Sequence, residues 1–383
     1  MKALLAATAV ALAVQAVPAV AAVRIDGHGS GHGVGMAQWG AMGYARVEHR
    51  DASWILAHYY PGTRRAAASP ARIRVRLAAG PSASVALATA VHGAGGRTIR
   101  LDAARTYRLT AWRTASIEVV DTRSGRPRAH MTAPVRLTGD GPLRLRGRGD
   151  NGIDDGRYRG VLVVGHAPEG VTVVDDVGLE RYLRGVVPAE MPASWPAAAL
   201  RAQAIAARSF ALTSLRPADP FDVFSDTRSQ VYGGVAVEQS ATTAAVDATR
   251  ATVLMAGTAI AHTLFHSSSG GRTAAIEDAF GGAPMSWLRS VDDPYDRLSP
   301  YHDWTVTLSD ADAAALLTSV LSGDLVEIAV VATTPTGRAA TVRVTGTLGV
   351  RDVDALTFRR MLGLRSTWFT IATSPTRSLS AAG

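Results

Sequence analysis

Residues 184–214 read RGVVPAEMPASWPAAALRAQAIAARSFALTS, and the fold turns on this stretch. It sets one carboxylate, Glu190, in a proline-bounded turn ahead of a long alanine-rich segment. Ser194 stands where a helix N-cap belongs and Pro196 near the first helical position, both start signals. Beyond the cap, apolar residues point in almost every direction around the helix, which predicts a buried central helix and not a surface one. Gln203 and Arg208 interrupt that apolar surface, and buried polar groups need partners. A lone acid beside such a helix is the first candidate for chemistry.

The 383 residues are 47% hydrophobic and 19% charged, an ordinary globular composition with room for two or three domains. Residues 1–22, MKALLAATAVALAVQAVPAVAA, join one lysine to an apolar run and end on the small residues Ala19, Val20 and Ala21. This reads as a secretory signal peptide, so the chain is expected to be secreted, to the cell wall or beyond. Gln15 and Pro18 break the run, which is short for a membrane span, and no later segment is apolar and long enough to be one. Cysteine is absent, which excludes thiolate catalysis and cysteine-based metal sites and leaves an exported chain to hold on its core alone. The formal charge of +8 falls only to about +7 when Lys2 leaves with the leader. The excess is arginine spread through strand-like segments, not runs interleaved with aromatics. That argues against nucleic acid and for an anionic wall or envelope polymer.

Taken outward, residues 23–64 open with a short strand (23–26) and a loop with glycine at 27, 29, 31, 33 and 35, then two short helices at 36–48 and 53–60. Residues 65–150 alternate Val, Ile and Leu with Arg and Thr between Gly, Pro and Asp turns, an auxiliary antiparallel β module. Residues 151–375 carry a hairpin, a helix at 178–186, the central alanine-rich helix, a loop DTRSQVYGG at 226–234, and a strand running into His266-Ser267-Ser268-Ser269-Gly270-Gly271. Residues 376–383 read as a disordered tail. The expected class is α+β: a mixed domain around the buried helix, an inserted β module, and an N-terminal Gly-His segment packing back on the core.

VVPAEMPASWPAAALRAQAIAARSFAL, DTRSQVYGG, FHSSSGG, LGLRSTWF and GHGVGMAQWGA together resemble the SpoIID/LytB family of bacterial cell-wall proteins, over roughly 23–62 and 150–375. The family includes sporulation lytic transglycosylases acting on peptidoglycan glycan strands and proteins described as amidase enhancers. The resemblance implies that Glu190 is the catalytic acid, with peptidoglycan as partner and no cofactor. Two departures stand out. In the sporulation enzymes the GHGVGM-type segment follows the core, whereas here it comes first, so the strand at 23–26 is expected beside the strand at 368–372. Some relatives bind a metal near the HSxxGG motif, but this chain has His266 followed by Ser267, Ser268 and Ser269, and no metal is expected.

Hydrolytic glycosidases usually need two carboxylates. A lytic transglycosylase manages with one, because the muramoyl 6-hydroxyl attacks the anomeric centre internally. A single prominent acid fits the second chemistry, with burial against Met191 or Trp195 raising its pKa and the following helix N-terminus lowering it. Capping that helix is the competing role for Glu190. Gln203 and Arg208 read equally as a buried brace or as substrate contacts. Ser229, Gln230 and Tyr232 suit sugar binding or loop capping. His266, Ser267, Ser268, His32 and Gln38 are the remaining candidate substrate-binding residues. Asp226, Asp292 and Asp293 are the reserve acids of a hydrolytic enzyme. The alternative function is a non-catalytic wall-binding activator of a cell-wall amidase.

Overall fold

The computed structural model describes residues 22–373. The leader read over 1–22, save Ala22, and the tail read over 376–383 lie outside them. The chain combines helices with several sheets and is α+β. It divides into a larger unit, His28–Asp303, and a smaller one in which the residues up to Gly27 join those from Trp304 onward.

In the larger unit, strands from residues 72–178 form two sheets, one of six strands and one of seven, the latter completed by Val223–Phe224. The β-rich stretch does not stop at residue 150. Arg72–Gly80 pairs along its length with Gly170–Gly178, which pairs in turn with Val161–Ala167. The period-two pattern sends Ile73, Val75, Leu77, Tyr107, Leu109, Leu143, Leu145, Val171 and Val173 into one core.

Helices α1 (Gln38–Val47), α2 (Ala52–Tyr59), α3 (Leu179–Glu190), α4 (Ala197–Thr213) and α5 (Ser240–Ala248) belong to the same unit. The apolar residues all round α4 have a direct cause. Ala204, Ala207 and Ala211 pack into the core of the sheets, with Tyr182, Leu183, Val186 and Val187 of α3. Ala199, Leu200, Ala202, Ile205 and Ala206 pack into a second core built by Val34, Met36, Ala41, Ile55, Leu56 and Tyr59 of the N-terminal segment. That segment is fixed by backbone pairing as well: Met36 and Ala37 run parallel to Phe265 and His266. Gly35 takes φ 72° there, and a Cβ on it would lie 2.0 Å from the Leu264 carbonyl oxygen. Only glycine fits.

Two local expectations are corrected. The central helix starts at Ala197, with Pro196 at the N-cap position and no side-chain cap. Ser194 lies in the preceding turn, because Trp195 precedes a proline and is steered out of the helical region. The helix before it does not end at Val186 but continues through Pro188 to Glu190. Burial of Val186 and Val187 outweighs the proline, and Met191 N–H closes the last turn on the Val187 carbonyl at 2.9 Å.

In the smaller unit the strand opening the described chain lies between Asp303–Ser309 and Phe369–Thr373. The pairing anticipated with the C-terminal strand is present and antiparallel, Arg24 opposite Ala372 and Ile25 opposite Ile371. Ile25 and Phe369 join Ile328, Val342, Val344 and Phe358 in this unit's own core. A strand from one end of the chain thus completes a sheet from the other. Ile25→Ala removes a fully buried side chain from that seam, and the smaller unit's urea transition should lose about 2–5 kcal/mol. A loss below about 0.5 kcal/mol, the scale of surface changes, would contradict this packing.

Candidate functional site

Glu190 is the last residue of α3, so its own helix turns its electronegative end toward the carboxylate. That reverses the expected helix-end effect: it disfavours ionisation. The side chain is partly buried and both oxygens are held. Gln38 Nε2 donates to Oε2 at 3.0 Å and the Val231 backbone N–H donates to Oε1 at 3.1 Å. Burial pushes the carboxyl above the ordinary glutamate value, and these two donors pull it back without cancelling the rise. Neither contact caps α4. No second carboxylate bonds to Gln38 or to Val231 N–H among the described residues.

Each donor is placed by the fold. Gln38 follows the short parallel pairing of Met36–Ala37 with Phe265–His266 and begins α1. Val231 follows Gln230, whose amide is locked in the interior: it accepts from Tyr182 Oη at 3.1 Å and donates to the Ala207 carbonyl at 3.3 Å. Beside them, Trp39 of α1 meets Trp195 edge-to-face at 4.9 Å between ring centres, and Trp39 N–H reaches the Ser267 carbonyl at 3.1 Å. Both indoles are half-buried and together form a surface suited to a sugar ring. Trp39 and Val231 were missed in the sequence. Trp39 had a visible signal, an aromatic next to Gln38 in a Gly/Ala-rich segment; a backbone N–H has none.

The other candidates divide. Gln38 is brought to Glu190, and Ser267, on a separate segment, meets the residue beside Gln38 through its carbonyl. His266 sits one pairing position from Gln38, with Nδ1 3.1 Å from the Val34 carbonyl and its ring 5.5 Å from that of His32. His32 Nδ1 accepts from Val34 N–H at 3.1 Å. Gln203 is fully buried, and its amide has no hydrogen-bond partner among the described residues.

Several candidates prove structural. Arg208 is fully buried and grips Glu180 through two bonds of 2.9 and 2.7 Å, with Thr252 O at 3.0 Å; no surface is left for a substrate. Tyr232 is 1% exposed, donates to Asp175 Oδ2 at 2.8 Å and packs on Tyr182. Gln230 is equally buried. Ser229 Oγ accepts from Phe224 N–H at 3.1 Å and holds its turn. Ser268 Oγ donates to Asp296 Oδ2 at 2.8 Å, and Ser269 Oγ to Asp293 Oδ2 at 2.8 Å. With those hydroxyls committed, and hydroxyl where a thiolate would be needed, the residues present do not fit the metal site that the resemblance raised.

The reserve acids lie elsewhere. Asp226 is clamped by Arg228, which holds it below the usual carboxylate range. Asp292 pairs with Arg272 at the surface. Asp293 is buried between Tyr59 Oη (2.9 Å) and Ser269 Oγ, and burial next to Asp296 pushes it up to about 7. A carboxyl raised on folding stabilises the native state at low pH and loses that contribution as pH climbs from about 4 through about 7. Asp293→Asn should therefore cost the larger unit most at pH 5 and least at pH 8, read as the wild-type-minus-variant difference in denaturant midpoint. A gap that widens with pH would contradict it.

The model of the SpoIID family, Stage II sporulation protein, matches residues 167–255, which span α3, Glu190, α4 and the 226–234 loop. Stage II sporulation protein D of Bacillus subtilis (strain 168) is 32% identical over 214 residues, 51% of this chain and 61% of that protein. The amidase enhancer of the same organism is 37% identical over 132 residues, 33% of this chain and 17% of that protein. An uncharacterized protein of Brachyspira hyodysenteriae is 38% identical over 136 residues, 35% of this chain and 36% of that protein. The chain thus spans between a sixth and three fifths of the length of these relatives.

Proposed function

With residues 167–255 assigned to the SpoIID family and Glu190 inside them, we propose that this protein is an exported cell-wall enzyme cleaving peptidoglycan glycan strands by lytic transglycosylation. The observation that carries the proposal is Glu190 itself: one partly buried acid, raised above its ordinary pKa, with an N–H donor on each oxygen. Protonated, Glu190 gives its proton to the glycosidic oxygen as the C1–O bond breaks and the leaving sugar departs as an alcohol. The resulting carboxylate is received by Gln38 Nε2 and Val231 N–H, so the charge it acquires is not stranded in a buried setting. The muramoyl 6-hydroxyl then attacks C1 and returns a proton to Glu190, closing an anhydro sugar and restoring the acid. No water is consumed, and no second carboxylate is required.

Trp39 and Trp195 provide the stacking surface for a sugar on the approach to the acid. Ser267 adjoins that surface through its carbonyl, which accepts from the Trp39 N–H, whereas His266 is buried. The competing proposal is a wall-binding activator of a cell-wall amidase, favoured by the 37% identity to an amidase enhancer. In that case the same surface would hold glycan without cleaving it.

Mass spectrometry of peptidoglycan digests separates the two. Wild type should release fragments with anhydro-muramic ends, and Glu190→Gln should lower their yield about 10²- to 10⁴-fold. Anhydro ends that persist unchanged in the variant would remove Glu190 from the chemistry. Absence of release by wild type, from intact and peptide-stripped strands alike, would leave the activator reading.

A further inference from the structure

Seventeen arginines and five acids fall between residues 64 and 150, and the two sheets of the larger unit carry them differently. On the outward face of the seven-stranded sheet the strand arginines other than Arg100, on its edge strand, are matched. Arg72 and Arg136 both reach Asp176 at 2.7 Å, Arg74 meets Asp222 at 2.6 Å, and Arg76 meets Asp150 at 3.1 Å. The outward face of the six-stranded sheet is not balanced in this way. Arg144 stands directly opposite Arg157 on the adjacent strand. Arg108, Ser84 and Arg146 make the neighbouring row. Arg146 has Asp155 at 2.7 Å, but Arg108, Arg144 and Arg157 form no ion pair among the described residues.

Two features of this face are unfavourable as it stands. Like charges directly opposed on paired strands repel. Arg144 Nε is buried without an acceptor, which is a costly state for a donor. An anion would relieve both. Between Arg108 on one side and Arg144 and Arg157 on the other, the outward residues are Ser84, Ala86 and Thr106, small enough to leave a shallow trough. A guanidinium presents a planar fork that matches phosphate oxygens.

We propose that this face docks a linear, base-free phosphodiester polymer of the cell envelope, with Arg108, Arg144 and Arg157 taking successive phosphates. Nucleic acid fits less well. Proteins that hold single strands set aromatic rings beside the basic groove, whereas Trp112, on the same strand face, lies four residues beyond Arg108 and packs on His130 at 4.6 Å. The location of the polymer rests on the wall reading above; the binding does not, and its test reads no glycan cleavage.

The full chain is titrated with poly(glycerol phosphate), with oligo-dT and with polyglutamate of equal charge, at 50 and 200 mM NaCl. Poly(glycerol phosphate) should bind tightest and weaken steeply with salt. The triple variant Arg108→Gln, Arg144→Gln, Arg157→Gln should bind it at least tenfold more weakly and flatten the log–log salt slope by about 2, roughly 0.7 per lost phosphate. A control triple that removes the same charge elsewhere, Arg46→Gln, Arg65→Gln, Arg351→Gln, should change binding less than about twofold on the same electrostatic reasoning. The single variant Arg157→Gln, at an exposed edge strand, should alone weaken binding about threefold should the triple fail to fold. Equal losses in both triples, no loss in the first, or tighter binding of oligo-dT or polyglutamate would overturn the proposal.

Discussion

The structure depends on α4 being covered on both sides. A helix packed against a sheet core on one face and a second helical core on the other has no solvent stripe, and its residues must be small enough for both partners to approach closely. Alanine answers both demands. The consequence reaches the site, because the N-terminal segment covering the second face is the one that delivers Gln38 to Glu190, and the loop leaning on Ala207 through Gln230 delivers Val231 N–H. Glu190 therefore sits where two layers on α4 meet, with one donor from each.

Glu190 is also the point where opposing electrostatic effects are balanced. Burial and the end of α3 favour the neutral acid; Gln38 and Val231 N–H favour the carboxylate. A general acid that must later act as a base needs this balance, since neither protonation state can be allowed to become inaccessible. Asp293 and Asp296 serve a different purpose. Asp296 accepts from Ser268 Oγ and from the N–H groups of Ser269 and Gly270, each at 2.8 Å, and fixes the loop that borders the site.

Much of this was legible in the sequence for identifiable reasons. The two-sided burial of α4 follows from its lack of a polar stripe, and the pairing of the first strand with the last follows from the displaced order of motifs. What was not legible depended on tertiary burial. Pro188 reads as a helix end, yet Val186 and Val187 are held in the core and carry α3 on to Glu190. The 226–234 loop reads as a hydroxyl-rich sugar site, yet Gln230 and Tyr232 point inward and only a backbone N–H faces the acid. The helix-end effect on Glu190 took the wrong sign for the same reason: the proline-based boundary put the acid in front of one helix, when it closes another.

The most direct test of the central claim is the titration of Glu190 itself, followed by carbon NMR of glutamate labelled at the carboxyl and assigned with Glu190→Gln. The account predicts a midpoint above the ordinary 4.5, rising further in Gln38→Leu as one of the two donors is lost. A midpoint at or below 4.5 would mean that the carboxylate is the resting form held by its donors, and Glu190 would then be a structural anion and not the acid that starts the reaction.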